Sequence, residues 1–198
     1  MQLAISEALF GLGDHAVARV AKAEDDGILG DSAYDDRMVV AAILKDGATA
    51  RALLPKALAE HRKSAGTKPE GTSDEERAVK ALAAMADNKP AEAITLLEPV
   101  SFDMPHADLV NIWTIAKMMV GDLPAAAKGL TLLTSQLGGG LNATTPYAYA
   151  MLARVQAQMG QKEEAGKTYQ KFFEIWKDAD ADLPLLIQAR EEFAKLGS

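Results

Sequence analysis

The sequence predicts an all-α protein of about five helix-turn-helix units followed by a C-terminal capping helix. Apolar residues recur at three- and four-residue spacing through most of the chain, as in amphipathic helices. Hydrophobic residues make up 48% of the 198 residues and aromatic residues only 6%, which favours close-packed helices over a β-sandwich. The third observation is a recurring mark, in which a helix-breaking residue is followed five residues later by alanine.

The recurring mark occurs five times and divides the chain into units. Its intervals of 34, 41, 33 and 39 residues follow from the positions Gly13/Ala18, Gly47/Ala52, Asn88/Ala93, Gly121/Ala126 and Gly160/Ala165. The longer intervals predict exposed loops at residues 62–73 and 138–146, where Gly, Ser or Thr are frequent. Because the repeat resumes after each loop, residues 1–198 are predicted to form a single domain.

Local signals predict where several helices begin and end. Ser73 and Glu76 form a capping-box pattern that opens unit three. In unit four, Gly121 ends the first helix, and a first-turn proline follows in the second. Pro55 predicts a kink, because proline removes one backbone hydrogen bond. Predicted helices include residues 14–26, 34–45, 78–87, 90–97, 106–120 and 122–137, with three more between 147 and 196.

The stretch from residue 147 to 176 carries the most specific pattern. Within it, Leu152–Ala153, Gly160, Ala165, Tyr169 and Phe172 resemble one tetratricopeptide (TPR) unit. The small side chains of Ala153 and Ala165 let two antiparallel helices approach closely. Two of the intervals also match the TPR period of about 34 residues. The resemblance implies a TPR-like helical solenoid whose first helices line a concave groove that binds extended peptides.

The segment Phe172–Leu196 supports a narrower resemblance. It is similar to the C-terminal end of TPR regions attached to bacterial, acidobacterial-type serine/threonine protein kinases or to winged-helix regulators. The matching positions are Ile175, Trp176, Lys177, Asp178, Ala179, Asp180, Asp182, Pro184, Leu186, Ala189, Glu192, Ala194, Lys195 and Leu196. The resemblance implies the non-catalytic docking or sensing region of a signalling protein, so no kinase activity is carried over to any residue.

Composition limits the kinds of partner and the compartment that we expect for the chain. A net charge of −7 and the lack of a long basic run argue against nucleic-acid binding. The sequence contains no run of eighteen apolar residues, so no membrane span is predicted. The first twelve residues contain Glu7 and lack a basic start, which does not fit a signal peptide. The expected compartment is the cytoplasm, with an extracytoplasmic location as the alternative if the parent is a membrane-anchored kinase.

The sequence predicts no catalytic centre, cofactor or metal site. Cysteine is absent, so thiolate metal ligands are excluded. The three histidines, His15, His61 and His106, are scattered over separate units. The run Gly138–Gly140 lacks the lysine and hydroxyl of a phosphate-binding loop and is interpreted as a flexible connection. The absence of nucleophile and kinase signatures predicts a protein that is not an enzyme.

The predicted function is a protein-interaction module that binds a protein or peptide partner in the concave groove. Groove positions lie thirteen, ten, six and two to three residues before each helix break. The side chains predicted to contact the partner are Leu82 in unit three, Asn111, Ile115 and Met118 in unit four, and Tyr147, Arg154 and Gln158 in unit five. Two alternatives stay open, a self-association module that forms a homodimer and a small-molecule-sensing repeat domain.

Overall fold

The computed structural model describes residues 2–26, 33–65, 73–98, 107–136 and 145–197. Within these ranges it contains helices and no strand, so the all-α class is confirmed there. The helices are α1 Gln2–Leu9, α2 Gly13–Asp25, α3 Ala33–Leu44, α4 Gly47–Ala65, α5 Asp74–Ala86, α6 Pro90–Leu97, α7 Ala107–Met119, α8 Leu123–Gln136, α9 Thr145–Gln158, α10 Lys162–Ile175 and α11 Pro184–Leu196. None of the described helices is both long enough and apolar enough to cross a membrane.

Consecutive helices pack as five pairs, from α1/α2 to α9/α10, and α11 packs on both members of the last pair. Two or three residues join the members of each pair, and so short a connection makes them antiparallel neighbours. Each pair also packs on the next: α1 makes most of the contact with α3, α3 and α4 contact α5 equally, and α6 and α8 make most of the contact with α7 and α9. The sequence of pairs is the one predicted, while the TPR-like solenoid stays a prediction.

The turn inside every pair has the same backbone geometry. One residue of each turn has positive φ: Gly11, Lys45, Asn88, Gly121 and Gly160, with φ between 56° and 87°. The N–H of the residue that follows donates to a carbonyl oxygen five positions back, as from Leu12 to Glu7 at 2.8 Å and from Gln161 to Gln156 at 2.9 Å. This bonding is the Schellman motif, which satisfies carbonyls that a helix end leaves without partners.

The repeat positions predicted in the first two units are wrong by two residues. Gly13 and Gly47 begin α2 and α4, and the left-handed residues are Gly11 and Lys45. The corrected intervals are 34, 43, 33 and 39 residues. Five residues after every left-handed residue lies an alanine that is at most 1% exposed: Ala16, Ala50, Ala93, Ala126 and Ala165. The recurring mark is therefore present in all five pairs, with Ala16 and Ala50 in place of Ala18 and Ala52.

A second buried position lies seven residues before each left-handed residue. It is occupied by Ala4, Met38, Ala81, Thr114 and Ala153, none of them more than 1% exposed. Thr114 is the one polar side chain of this set, and it faces Gly129 of α8. A Cβ atom on Gly129 would lie 2.1 Å from the Thr114 hydroxyl oxygen. The missing side chain of Gly129 therefore makes room for Thr114.

Several local predictions are settled by the helix boundaries. Helix α4 continues through Pro55 and includes residues 62–65, which were predicted as loop. The remaining part of that loop, 66–72, and residues 138–144 of the second predicted loop lie outside the described residues, while Thr145 and Pro146 begin α9. The Ser73 cap is confirmed, since the Ser73 hydroxyl oxygen accepts from the Glu76 N–H at 3.2 Å.

The two ends of the row of helix pairs touch each other. The Phe10 ring, in the α1–α2 turn, meets the Trp176 ring edge-on with centroids 4.8 Å apart. The Leu185 N–H donates to the Phe10 carbonyl oxygen at 3.3 Å. Gly11 lies against Pro184, where a Cβ atom would come within 3.0 Å of the proline Cβ. The row therefore curves until its first turn meets the start of α11.

The Thr114–Gly129 contact gives a test of helix-pair packing. We expect Gly129→Ala to destabilise the protein by about 1–3 kcal/mol, because the added methyl overlaps the Thr114 hydroxyl. Thr114→Ala in the same chain should restore the denaturant midpoint. The control is Gly166→Ala in α10, where a Cβ atom would have no other atom within 4 Å. This substitution should raise the free energy of unfolding by about 0.5–1 kcal/mol, because alanine is favoured over glycine inside a helix. Equal effects at the two glycines would contradict the close approach of α7 and α8.

Lys45 gives a second test, since its φ of 56° places a side-chain-bearing residue in the left-handed region. Lys45→Gly should raise the free energy of unfolding by about 1 kcal/mol, because glycine adopts this conformation without a Cβ clash. Asn88→Gly is the matched control and should gain less, since asparagine tolerates a positive φ better than lysine does. Urea midpoints measure both changes, and a destabilised Lys45→Gly chain would place the helix break elsewhere.

Candidate functional site

The seven predicted groove residues do not gather around one cavity. They lie on three helices: Leu82 on α5, Asn111, Ile115 and Met118 on α7, and Tyr147, Arg154 and Gln158 on α9. Ile115 packs against the apolar cluster of α3 to α7, whereas Met118 and Tyr147 pack against the cluster that extends from α7 to α11. Gln158 is exposed and Asn111 is half-buried. Leu82 lines a cavity that contains none of the other six.

Arg154 is held by the chain's own last helix. Its Nε atom donates to the two carboxylate oxygens of Glu192 at 2.8 and 3.1 Å. The Tyr169 hydroxyl donates to the same carboxylate at 2.6 Å, so the three side chains join α9, α10 and α11. The Nη2 atom of Arg154 is buried and makes no hydrogen bond within the described residues. A partner that used Arg154 would have to compete with Glu192.

The tyrosines near Arg154 remain neutral phenols. Burial raises the pKa of the Tyr169 hydroxyl well above its usual range, and its hydrogen bond to Glu192 raises it further. Burial also raises the pKa of Tyr147 to about 12, although Arg154 opposes this change. Neutral phenols of this kind donate hydrogen bonds and do not act as bases at neutral pH. Tyr169 therefore acts as the hydrogen-bond donor to Glu192.

A cavity of about 180 Å³ lies between α3, α4, α5 and α7. Its apolar lining comes from the middle of α3 and α5 and from one residue of α7, and its polar lining comes from the first turns of α3 and α5 and from the end of α4. The apolar residues are Val39, Ala78, Val79, Leu82 and Ile112, and the polar residues are Asp35, Asp36, His61, Asp74 and Glu75.

Five of the ten residues that line the cavity lie at the groove positions of units two and three. Asp35 and Val39 lie ten and six residues before the left-handed Lys45. Glu75, Ala78 and Leu82 lie thirteen, ten and six residues before Asn88. These are the spacings that the sequence predicts for the groove, and Leu82 is the one predicted partner-binding residue that lines the cavity. The groove face, defined as these positions on the odd-numbered helices, therefore forms a cavity in units two and three.

The sequence analysis named no groove residue in unit two, and the helix break assigned to Gly47 is also out of register there. Counting back from Gly47 moves the groove positions of α3 by two residues, away from Asp35 and Val39. The signal that corrects this register is Asp46, whose carboxylate accepts from the Thr49 N–H at 3.0 Å and from the Thr49 hydroxyl at 2.6 Å. Aspartate is a preferred N-cap residue, because its side chain accepts from backbone N–H groups of the first turn, so Asp46 caps α4 and Gly47 begins it.

The polar side of the cavity is rich in carboxylates. Asp35, Asp36, Asp74 and Glu75 line it, and among its lining residues only His61 can carry a positive charge. The His61 Nε2 atom lies 2.9 Å from a carboxylate oxygen of Asp35. Two neighbouring cations, Arg62 and Lys80, pair with Glu76, which is not a lining residue. Asp36 and Glu75 have interactions of their own as well, so three of the four carboxylates are engaged within the chain.

The described residues contain no group of three or more His, Cys, Asp or Glu side chains arranged to hold a metal ion. No protein-family model, curated protein or solved structure matches the chain.

The hydrogen bonds that join Arg154, Tyr169 and Glu192 predict a loss of stability when the Tyr169 hydroxyl is removed. Tyr169→Phe keeps the buried ring but removes the hydrogen bond to a carboxylate, so the free energy of unfolding should fall by about 1.5–3 kcal/mol. Tyr149→Phe on α9 is the matched control, because the Tyr149 hydroxyl has no hydrogen-bond partner within the described residues. Equal denaturant midpoints for both variants would show that the network does not hold α11.

Proposed function

We propose that this chain is a non-catalytic protein-interaction module of the TPR-like class, which holds a segment of a partner protein on its groove face. The observation that carries the proposal is the cavity at the predicted groove spacing in units two and three. The five identical turns and the two buried positions in each pair support a TPR-like repeat. The groove face is the surface on which such a repeat binds extended peptides.

The volume of the cavity favours a peptide over a small-molecule ligand. Pockets for drug-sized ligands measure about 300–1,000 Å³, and this cavity measures about 180 Å³. It can accept one side chain of a longer segment, while the rest of that segment lies along the neighbouring helices. A peptide-docking module therefore fits the cavity better than a metabolite sensor does.

The cellular context follows from the resemblance of Phe172–Leu196 alone. On that basis the chain is the docking or sensing region of a bacterial signalling protein, such as a serine/threonine kinase or a winged-helix regulator, that acts in the cytoplasm. The partner is then a protein of the same signalling system. Asn111 and Gln158, which the chain leaves partly or fully exposed, can extend the contact beyond the cavity.

Hydrogen exchange locates the binding surface without knowledge of the native partner. Peptides selected against the immobilised chain from a random library should slow amide exchange in α3, α5 and α7, because a bound segment suppresses local opening of the helices it covers. Val39→Asp should abolish binding of these peptides, since it places a charge on the apolar floor of the cavity.

The matched control for this experiment is Val17→Asp. Val17 lies on α2, is 55% exposed and does not line the cavity, so the same substitution there should leave peptide affinity unchanged. Melting temperatures of both variants show that they are folded. Slower exchange confined to α2 or α10, or equal loss of binding in both variants, would disprove the groove face as the binding surface.

A further inference from the structure

We infer that the first helix pair, α1 and α2, is a hinged arm that a small latch closes onto α11. The latch is defined as Phe10, Gly11, Trp176, Pro184 and Leu185. When the latch opens, the arm turns on its contact with α3, and the pairs from α3/α4 to α9/α10 stay folded. This conformational device goes beyond the proposed function, because it depends on no bound partner.

The two helices of the arm are tied to each other. The Nε and Nη2 atoms of Arg19 on α2 donate to the two carboxylate oxygens of Glu7 on α1, at 2.8 and 2.6 Å. Ala4 of α1 and Ala16 of α2 are fully buried. Two parallel hydrogen bonds between arginine and a carboxylate fix the geometry of both groups. The arm therefore moves as one body.

The arm shares few buried side chains with the second pair. Its apolar cluster is separate, and the buried members are Ala4, Ile5, Ala8, Ala16 and Val40, of which only Val40 belongs to α3. The two larger clusters of the described residues contain no buried residue of α1 or α2. Regions with few buried apolar contacts open at low cost. The junction with α3 can therefore open while the larger clusters stay packed.

A gap lies between α2 and the second pair. A cavity of about 170 Å³ is lined by Val17 of α2 and by Ala41 and Leu44 of α3, among others. Arg37 also lines it and pairs with Glu24, yet the buried Nε atom of Arg37 makes no hydrogen bond within the described residues. Voids and buried donors without partners both weaken an interface. Helix α2 therefore contributes little to the attachment of the arm.

The latch is the second attachment of the arm, and it is small. Phe10 and Trp176 supply one edge-on ring contact, and the Leu185 N–H donates one hydrogen bond to the Phe10 carbonyl oxygen. The two rings are only half-buried, and Gly11 and Pro184 are exposed. So few contacts can separate without unfolding of the helices on either side.

Asparagine in place of Gly11 tests the latch without changing the turn. Asn88 occupies the same position of the third pair at positive φ, so this kind of turn accepts asparagine. Gly11→Asn should open the latch, because its Cβ would lie 3.0 Å from the Pro184 Cβ and the rest of the side chain needs further space. The matched control is Gly121→Asn, since Gly121 also has positive φ and a Cβ there has no other atom within 4 Å.

Distances between spin labels measure the position of the arm, since the chain has no cysteine of its own. One pair of labels, at Ala18→Cys on α2 and Gln170→Cys on α10, joins the arm to the last pair. A second pair, at Lys128→Cys on α8 and Gln170→Cys, does not involve the arm, and all three positions are exposed. We expect Gly11→Asn to lengthen and broaden the first distance only. Gly121→Asn should change neither distance.

Two backbone amides give an independent readout by hydrogen exchange in NMR spectra. The Leu185 N–H has its acceptor on Phe10, whereas the Ile187 N–H donates to the Leu183 carbonyl oxygen at 3.0 Å. Gly11→Asn should raise the exchange rate of the Leu185 amide by roughly tenfold and leave that of Ile187 unchanged. Phe10→Ala, which removes the ring contact without touching the turn glycine, should have the same effect.

The outcomes distinguish an opened arm from a loosened fold. An unchanged arm distance and unchanged Leu185 exchange in both latch variants would overturn the inference, because α3 alone would then hold the arm. A longer control distance, or faster exchange of both amides, would also overturn it, since the arm would not open separately. None of these measurements involves a peptide, so failure of this inference is distinct from failure of the proposed function.

Discussion

The structure depends on the close approach of two helices directly after a tight turn. In every pair a left-handed residue ends the first helix, and an alanine five residues later is buried against it. The turn fixes the direction of the second helix, and the alanine fixes how near the two helices come. A larger side chain at that position would separate them and alter every contact between one pair and the next.

The close approach of the two helices limits the combined size of two facing side chains. The units can therefore differ in sequence at either position. Unit four has Thr114 where three other units have alanine, and Gly129 provides the missing space across the pair. The groove face also carries polar side chains at Asp35 and Glu75, which lie outside the buried apolar cluster of these units. Helices α3 and α5 thus place four carboxylates around one cavity while the packing of the pairs stays the same.

The two ends of the chain determine which helix pairs are engaged in contacts with distant parts of the chain. Glu192 of α11 forms a salt bridge with Arg154, and α11 covers part of the last helix pair. The first turn reaches the same region, where Phe10 and Gly11 contact Trp176 and Pro184. Units one and five are thus engaged in contacts within the chain. The cavity lies in units two and three, where neither end covers the groove face.

The sequence by itself determined the helices, their pairing and the left-handed turns at Asn88, Gly121 and Gly160, because spacing, glycine and alanine are local signals. It misplaced the turn before α4, since lysine at positive φ has no signal of its own and Gly47 lies two residues away. Only the tertiary structure decided which of the predicted groove residues are engaged within the chain. The engagement of Arg154 by Glu192 and the cavity around Leu82 depend on helices that are distant in sequence.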